Sequence, residues 1–105
     1  MGRPTRLTAA LSKRVADTLA SGCYVQTACQ LHSVAPSSFY QWLGRAAEGE
    51  EPYFSFAREV RAASARAEMN ALEQVRRGAE SWQAHAFFLA RRWRERWGGI
   101  SMEVR

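Results

Sequence analysis

The sequence predicts an all-α fold, with a trihelical N-terminal module followed by a long antiparallel helical hairpin used for oligomerisation. Three observations carry this prediction. Apolar residues recur at three- and four-residue spacings along most of the chain, and no stretch alternates apolar with polar residues as a half-buried strand would. Glycine and proline fall at the edges of the periodic segments rather than inside them. The stretch from Pro52 to Gly78 has no interior glycine or proline, which allows a helix of about 25 residues, roughly 38 Å if continuous. That is longer than a small trihelical unit can cover, so its apolar face needs a further partner.

Thr8 is a good N-cap for the first helix, and Leu11, Val15, Ala16 and Leu19 form its inner face. "ASG" closes it, with Gly22 placed for a left-handed residue. A second, short helix is predicted from Val25 to Leu31, with Ala28 and Leu31 facing inward. "HSVA" is then a turn, Pro36 takes the first position of a third helix, and Phe39, Trp42 and Leu43 form its apolar face. This module spans 1–47. An acidic linker follows at 48–52, where Glu48, Glu50 and Glu51 are expected to be solvated and to let the module pivot.

The helical hairpin is predicted over 53–97. The inner face of its long arm is small or aliphatic: Phe56, Ala57, Val60, Ala63, Ala67, Ala71, Leu72 and Val75. Gly78 ends that arm, and Ser81 can cap a last helix through "WQAHAFFLARRWRERWG", in which Trp82, Ala86, Leu89, Trp93 and Trp97 recur at helical spacing. Residues 98–105 read as a short C-terminal tail. Two readings of this half are open. The tryptophans either form the core of a monomeric hairpin, or they join an interface between chains. Oligomerisation is favoured because alanine-rich faces let helices approach closely, and Trp82, Phe87, Phe88, Trp93 and Trp97 offer more aromatic surface than one hairpin can bury. The residues assigned to association are Phe56, Val60, Ala63, Ala67, Leu72, Val75, Trp82, Leu89 and Trp93.

A hydrophobic share of 47% in 105 residues excludes a disordered chain. Fifteen basic against ten acidic residues give a net charge of +5, which favours an anionic partner. Lys13 is the only lysine; arginine suits bidentate contacts to phosphate and guanine, and equally salt bridges between helices. Cys23 and Cys29 stand without companion cysteines, and His32 and His85 lack metal-ligand spacing, so buried thiols are expected rather than a metal site. No signal peptide or membrane-spanning run is present, and the "MGRPTR" start does not suit myristoylation; a soluble, intracellular protein is expected. A phosphate-binding glycine loop with lysine and a magnesium-type carboxylate cluster are both missing, and neither Cys29 with His32 nor His85 has the partners a nucleophile or base needs. A non-enzyme without cofactor or metal is expected.

The first three helices have the layout of a helix-turn-helix. Such a motif needs a small residue inside its first helix so that the second can approach, and Ala28 supplies it. If the third helix reads DNA, its apolar side faces inward and Ser37, Ser38, Gln41 and Arg45 share the outer side, with Tyr40 at the edge. Serines at a helix start can donate to phosphate alongside backbone N–H groups. Glutamine suits adenine, and arginine suits guanine or phosphate. The competing reading is a helix start followed by a solvated face, and for Gln41 and Arg45 both stand. "GRPTR" at the N-terminus adds a basic arm, and Arg3 and Arg6 could enter a minor groove; a frayed basic terminus is the alternative.

"GRPTRLT", "YVQTACQLHSVAPSSFYQWLGRAAEGEEPYFSFAREVRAA" and "WQAHAFFLARRWRERWG" occur in an order that resembles bacteriophage terminase small subunits of the helix-turn-helix type, over most of residues 2–98. The first half of this pattern is shared with transposases and regulators; the acidic "EGEEPY", the long Ala/Arg/Glu helix and the closing "ERWG" narrow it. The resemblance implies a DNA-packaging protein of a virus, working in the cytoplasm of the infected bacterial host. Its partners would be double-stranded viral DNA, further copies of itself in a ring, and a terminase large subunit that holds the ATPase and nuclease. Two departures stand out. His32-Ser33 occupies a turn where the family usually has glycine, and Ala35 replaces the usual serine cap before Pro36. The rival functions are a dimeric transcriptional regulator or transposase-type DNA-binding protein, and an adaptor whose trihelical unit binds no DNA.

Overall fold

The computed structural model describes residues 6–78 and 80–98, and these are helical with no strand among them. The helices are α1 (Ala9–Ala20), α2 (Val25–Leu31), α3 (Pro36–Ala46), α4 (Tyr53–Arg76), α5 (Trp82–Arg92) and α6 (Arg94–Trp97). The chain divides into two compact units, 1–65 and 66–105, so α4 begins in one and ends in the other. The predicted arm residues Arg3 and Pro4, and the tail from 99 onward, lie outside the described residues.

In the first unit, the side-chain oxygen of Thr8 accepts from the Leu11 amide at 3.1 Å and caps α1. Val15, Ala16 and Leu19 are buried beneath it. Gly22 takes φ 105° after α1, a conformation open to glycine at little cost. α2 buries Ala28 and Cys29, not Ala28 and Leu31: Leu31 is 67% exposed. The inner face of α2 is the set Val25, Ala28, Cys29 and His32, spaced by three and four. Cys29 packs there as a small apolar group, and burial pushes its thiol pKa up. His32 is engaged in turn, with Nε2 2.7 Å from Thr18 Oγ1 on α1. Leu31, two residues on from the buried Cys29, lies on the opposite side of the helix.

The turn after α2 holds Ser33 at φ 57°. An L-residue pays roughly 1–2 kcal/mol for this left-handed backbone, so the conformation of a glycine persists here without the residue that suits it best. Val34 then closes the turn by donating its amide to the Cys29 carbonyl at 2.8 Å.

α3 buries Phe39, Trp42 and Ala46. Phe56, the second turn of α4, inserts between the first two as a fully buried ring. It meets Phe39 edge-on at 5.4 Å and Trp42 at 5.6 Å. Tyr53 and Ala57 extend the same core. Ser12, buried on α1, donates to the Glu59 carboxylate and joins α1 to α4. In the acidic segment at 48–52, Glu48 and Glu51 are exposed as expected, while Glu50 is half-buried and the segment is held by side-chain bonds. Glu50 accepts from the Arg45 guanidinium, and Glu51 accepts from the Ser55 amide and hydroxyl, each at 3.1 Å. Glu51 thereby caps α4, and the segment is bonded on both sides.

In the second unit, Ala67 and Ala71 of α4 and Ala86 and Leu89 of α5 are buried. Gly78 takes φ 64° after α4, as its position in the sequence predicts. Ser81 precedes α5 but its side chain makes no cap hydrogen bond. The last helix is not continuous through Trp97: Trp93 adopts φ −124°, ψ 64°, which ends α5 and starts α6. Beyond this break, Arg96 donates through Nε and Nη2 to the two Glu68 oxygens at 2.7 Å, and Trp97 Nε1 donates to the same carboxylate at 2.7 Å. A bidentate guanidinium with an indole donor is a strong anchor for a carboxylate.

This anchor gives a pH dependence. The Arg96 guanidinium holds the Glu68 carboxyl below its ordinary range; burial opposes the shift and the Trp97 indole adds to it. A carboxyl with a depressed folded-state pKa contributes stability that is complete above its unfolded pKa and is lost as pH falls through the folded value. Acidification below about pH 4.3, the ordinary glutamate value, is thus expected to loosen the second unit. Glu68→Gln should remove that acid-dependent part, measured as the thermal midpoint against pH; an unchanged acid profile in the variant would assign it to other carboxylates.

Candidate nucleic-acid interface

The residues proposed for DNA contact fall on one side of α3 and at the start of the chain. Ser37 and Gln41 are four apart on α3 and both are exposed. Tyr40 is 58% exposed, its ring set edge-on against the buried Phe39 at 5.2 Å. Ser38 is half-buried and lines a shallow cleft with Arg6, Leu11, Val34, Ala35 and Trp42. Sequence reasoning assigned Arg6 to an arm and Ser38 to the reading helix, and the fold brings the two to one cleft.

The helix starts of this unit differ in one respect that bears on anions. A free helix N-terminus carries unpaired N–H groups and a partial positive charge. Thr8 caps α1 and Glu51 caps α4, so both ends already face an oxygen of the chain itself. Neither α2, behind Tyr24, nor α3, behind Ala35, has a side-chain cap bond, and of the two only α3 carries serines in its first turn. Its end is open, with the two serine hydroxyls beside it and the Arg6 cleft adjoining. Pro36 has no N–H and the Ser38 and Phe39 amides donate to the Ala35 carbonyl at 2.9 and 3.1 Å, so the Ser37 amide is the backbone donor of this turn left to an outside acceptor.

Arg45 sits differently from the expectation of a free outward contact. Its guanidinium pairs with Glu50, lies over the Tyr53 ring at 4.6 Å, and donates to the Tyr53 hydroxyl at 3.3 Å. The bond to Glu50 raises its pKa further, so it stays charged, and its charge is balanced on the spot. The signal for this was in the sequence, five residues ahead in "EGEEPY", where an acid-rich turn follows the last arginine of the helix. From Thr18 to Gly44 the chain contains no Asp, Glu, Lys or Arg. With Arg45 neutralised, the α2–α3 surface offers hydroxyls, amides and aromatic rings but no net charge.

The residues assigned to association divide into two groups. Phe56, Ala63, Ala67 and Leu89 are 0%, 0%, 5% and 1% exposed, so they are enclosed within the chain and have no surface left for a second one. This corrects their assignment: the aromatic cluster around Phe56 belongs to the first unit's core. Val60, Leu72, Val75, Trp82 and Trp93 are half-buried, and Met69 and Phe87 are exposed at 59% and 52%. Trp93 is partly covered by Phe88, edge-on at 5.5 Å. Met69 was not among the sequence candidates because its neighbours Ala67 and Leu72 define an inner face that excludes it.

Among the described residues, no group of three His, Cys, Asp or Glu side chains is arranged to hold a metal ion, and no helix is long and apolar enough to cross a membrane. These features define an all-α protein with an open helix start beside an arginine cleft. The chain matches no protein-family profile, no curated protein and no solved structure.

Proposed function

We propose that this protein is a DNA-recognition subunit of the terminase small-subunit kind. In this reading α2 and α3 form a helix-turn-helix, α4 to α6 form a helical hairpin that associates chains into a ring, and the assembly delivers viral DNA to a separate large subunit inside the infected bacterium. The observation that carries the reading is the uncapped start of α3, with Ser37 and Ser38 on it and Arg6 in the adjoining cleft. A phosphate lying against this surface would accept from the Ser37 amide and the serine hydroxyls, with the Arg6 charge nearby, and would set Gln41, one turn on, toward base edges. Each module binds weakly alone, and a ring multiplies weak contacts when the DNA touches several modules.

The experiment is duplex binding followed by fluorescence anisotropy across a salt series, paired with native mass spectrometry. Binding that weakens steeply with salt, by a chain that forms a ring-sized assembly, is the expected result. Ser37→Ala with Gln41→Ala should weaken binding without changing the assembly. No duplex binding even at low salt sinks the proposal in favour of an adaptor, and a discrete dimer on a palindromic site favours a regulator.

A further inference from the structure

The neutrality of the α2–α3 surface raises the question of where the chain keeps the positive charge that DNA requires. Association with a duplex is dominated by cations that displace the counterions of its phosphates. In the first unit Arg45 is matched by Glu50 and Lys13 lies 3.4 Å from Asp17, while Arg6, Arg14, Arg58 and Arg61 are exposed but scattered along the chain. The second unit holds the densest run of cations in the sequence, four arginines against one glutamate across 91–96.

These four arginines have different employments. Arg96 is spent on Glu68. Arg92 is half-buried, its guanidinium over the Trp93 ring at 5.3 Å. Arg91 and Arg94 are exposed, and neither has an ion-pair partner among the described residues. The Arg91 guanidinium rests over Phe87 at 5.0 Å, on a ring that is itself half open to solvent. Stacking of that kind orients a guanidinium while leaving its in-plane N–H donors directed outward. Helix electrostatics explain part of the run, since Arg91 and Arg92 complement the negative end of α5. Arg94 lies beyond the end of α5, in the single turn of α6.

We infer that Arg91 and Arg94, at the junction of α5 and α6, form a phosphate-backbone contact for nucleic acid, separate from the α3 surface. The inference rests on the DNA-binding reading above and gives it a division of labour. α3 supplies polar contacts that discriminate sequence, and the α5–α6 junction supplies the sequence-independent charge.

The test is the slope of log K against log salt for a duplex of mixed sequence, measured on the full chain. The variant Arg91→Gln/Arg94→Gln is expected to lower the slope by about 1.8, two phosphates at about 0.9 each. Arg91→Lys/Arg94→Lys should restore it, since the phosphate term needs charge more than shape. A control pair, Arg58→Gln/Arg61→Gln, removes the same charge from exposed positions on α4 in the first unit and should leave the slope in place. An unchanged slope in Arg91→Gln/Arg94→Gln, with wild-type binding intact, overturns the inference, leaves the DNA-binding proposal standing, and points the junction toward an acidic protein partner. An equal loss in the control pair also overturns it, because net charge rather than this site would then be responsible. A wild-type chain that binds no duplex removes the DNA-binding proposal itself. Far-UV circular dichroism of each variant checks that helicity is retained; should the glutamine pair unfold, the single variants Arg91→Gln and Arg94→Gln, each expected to lose about 0.9, carry the test.

Discussion

Phe56→Ala is expected to destabilise the first unit by about 3–5 kcal/mol, the range for truncating a fully buried phenylalanine. The ring is 0% exposed and touches Phe39 and Trp42 edge-on, so the variant loses its transfer free energy, leaves a cavity and forfeits two aromatic contacts worth about 0.5–1.5 kcal/mol each. The surroundings can collapse little, because Phe39 is fixed on α3 and Tyr53 lies one turn before the cavity. Urea denaturation followed by circular dichroism reads the loss as a lower midpoint. The same measurement decides between core and interface. A core residue lowers the midpoint equally at all protein concentrations, whereas an interface residue makes the change depend on concentration. Concentration independence is the expected result.

Glu50→Gln is expected to tighten duplex binding about fivefold at low salt and to steepen the salt slope by about 0.9, as one more arginine becomes free to meet a phosphate. In the native chain, Glu50 holds the Arg45 guanidinium and Tyr53 supports it from beneath. Arg45→Ala alone should weaken binding, since it leaves the Glu50 carboxylate unbalanced beside the duplex. The double variant separates two explanations. If Arg45 is the new contact, Arg45→Ala/Glu50→Gln loses the gain. If the gain persists, it came from deleting a carboxylate near the DNA, and Arg45 has no part in reading it.

The helical architecture was legible in the sequence because its punctuation is strong. Gly22 and Gly78 take positive φ where each was placed to stop a helix, and Thr8 caps α1 with its own oxygen. What the periodicity could not settle was rotation. On α2, Ala28 fits an inner face with either Leu31 or Cys29, and the fold buries the cysteine and leaves the leucine exposed. The bonding of the acidic segment was also illegible: Glu50 and Glu51, between Gly49 and Pro52, find Arg45 and Ser55 once the chain turns. The first compact unit runs to 65 and includes the first half of α4. The candidate site was visible as a set of residue types, but not the meeting of Arg6 with Ser38, which depends on how the chain before α1 packs. The break at Trp93 left no mark at all, since "LARRWRERWG" contains no helix breaker before its final glycine.

The shared ownership of α4 has a consequence for how the molecule breathes. Amides early in the helix can exchange with solvent only when the packing of Phe56 and the Ser12–Glu59 bond is undone, whereas amides late in the helix wait on Glu68, Arg96 and Trp97. Hydrogen exchange along this one uninterrupted helix therefore has two plateaus of protection, each set by a different cooperative unit. The change from one level of protection to the other is expected near Ala65, where the two compact units divide.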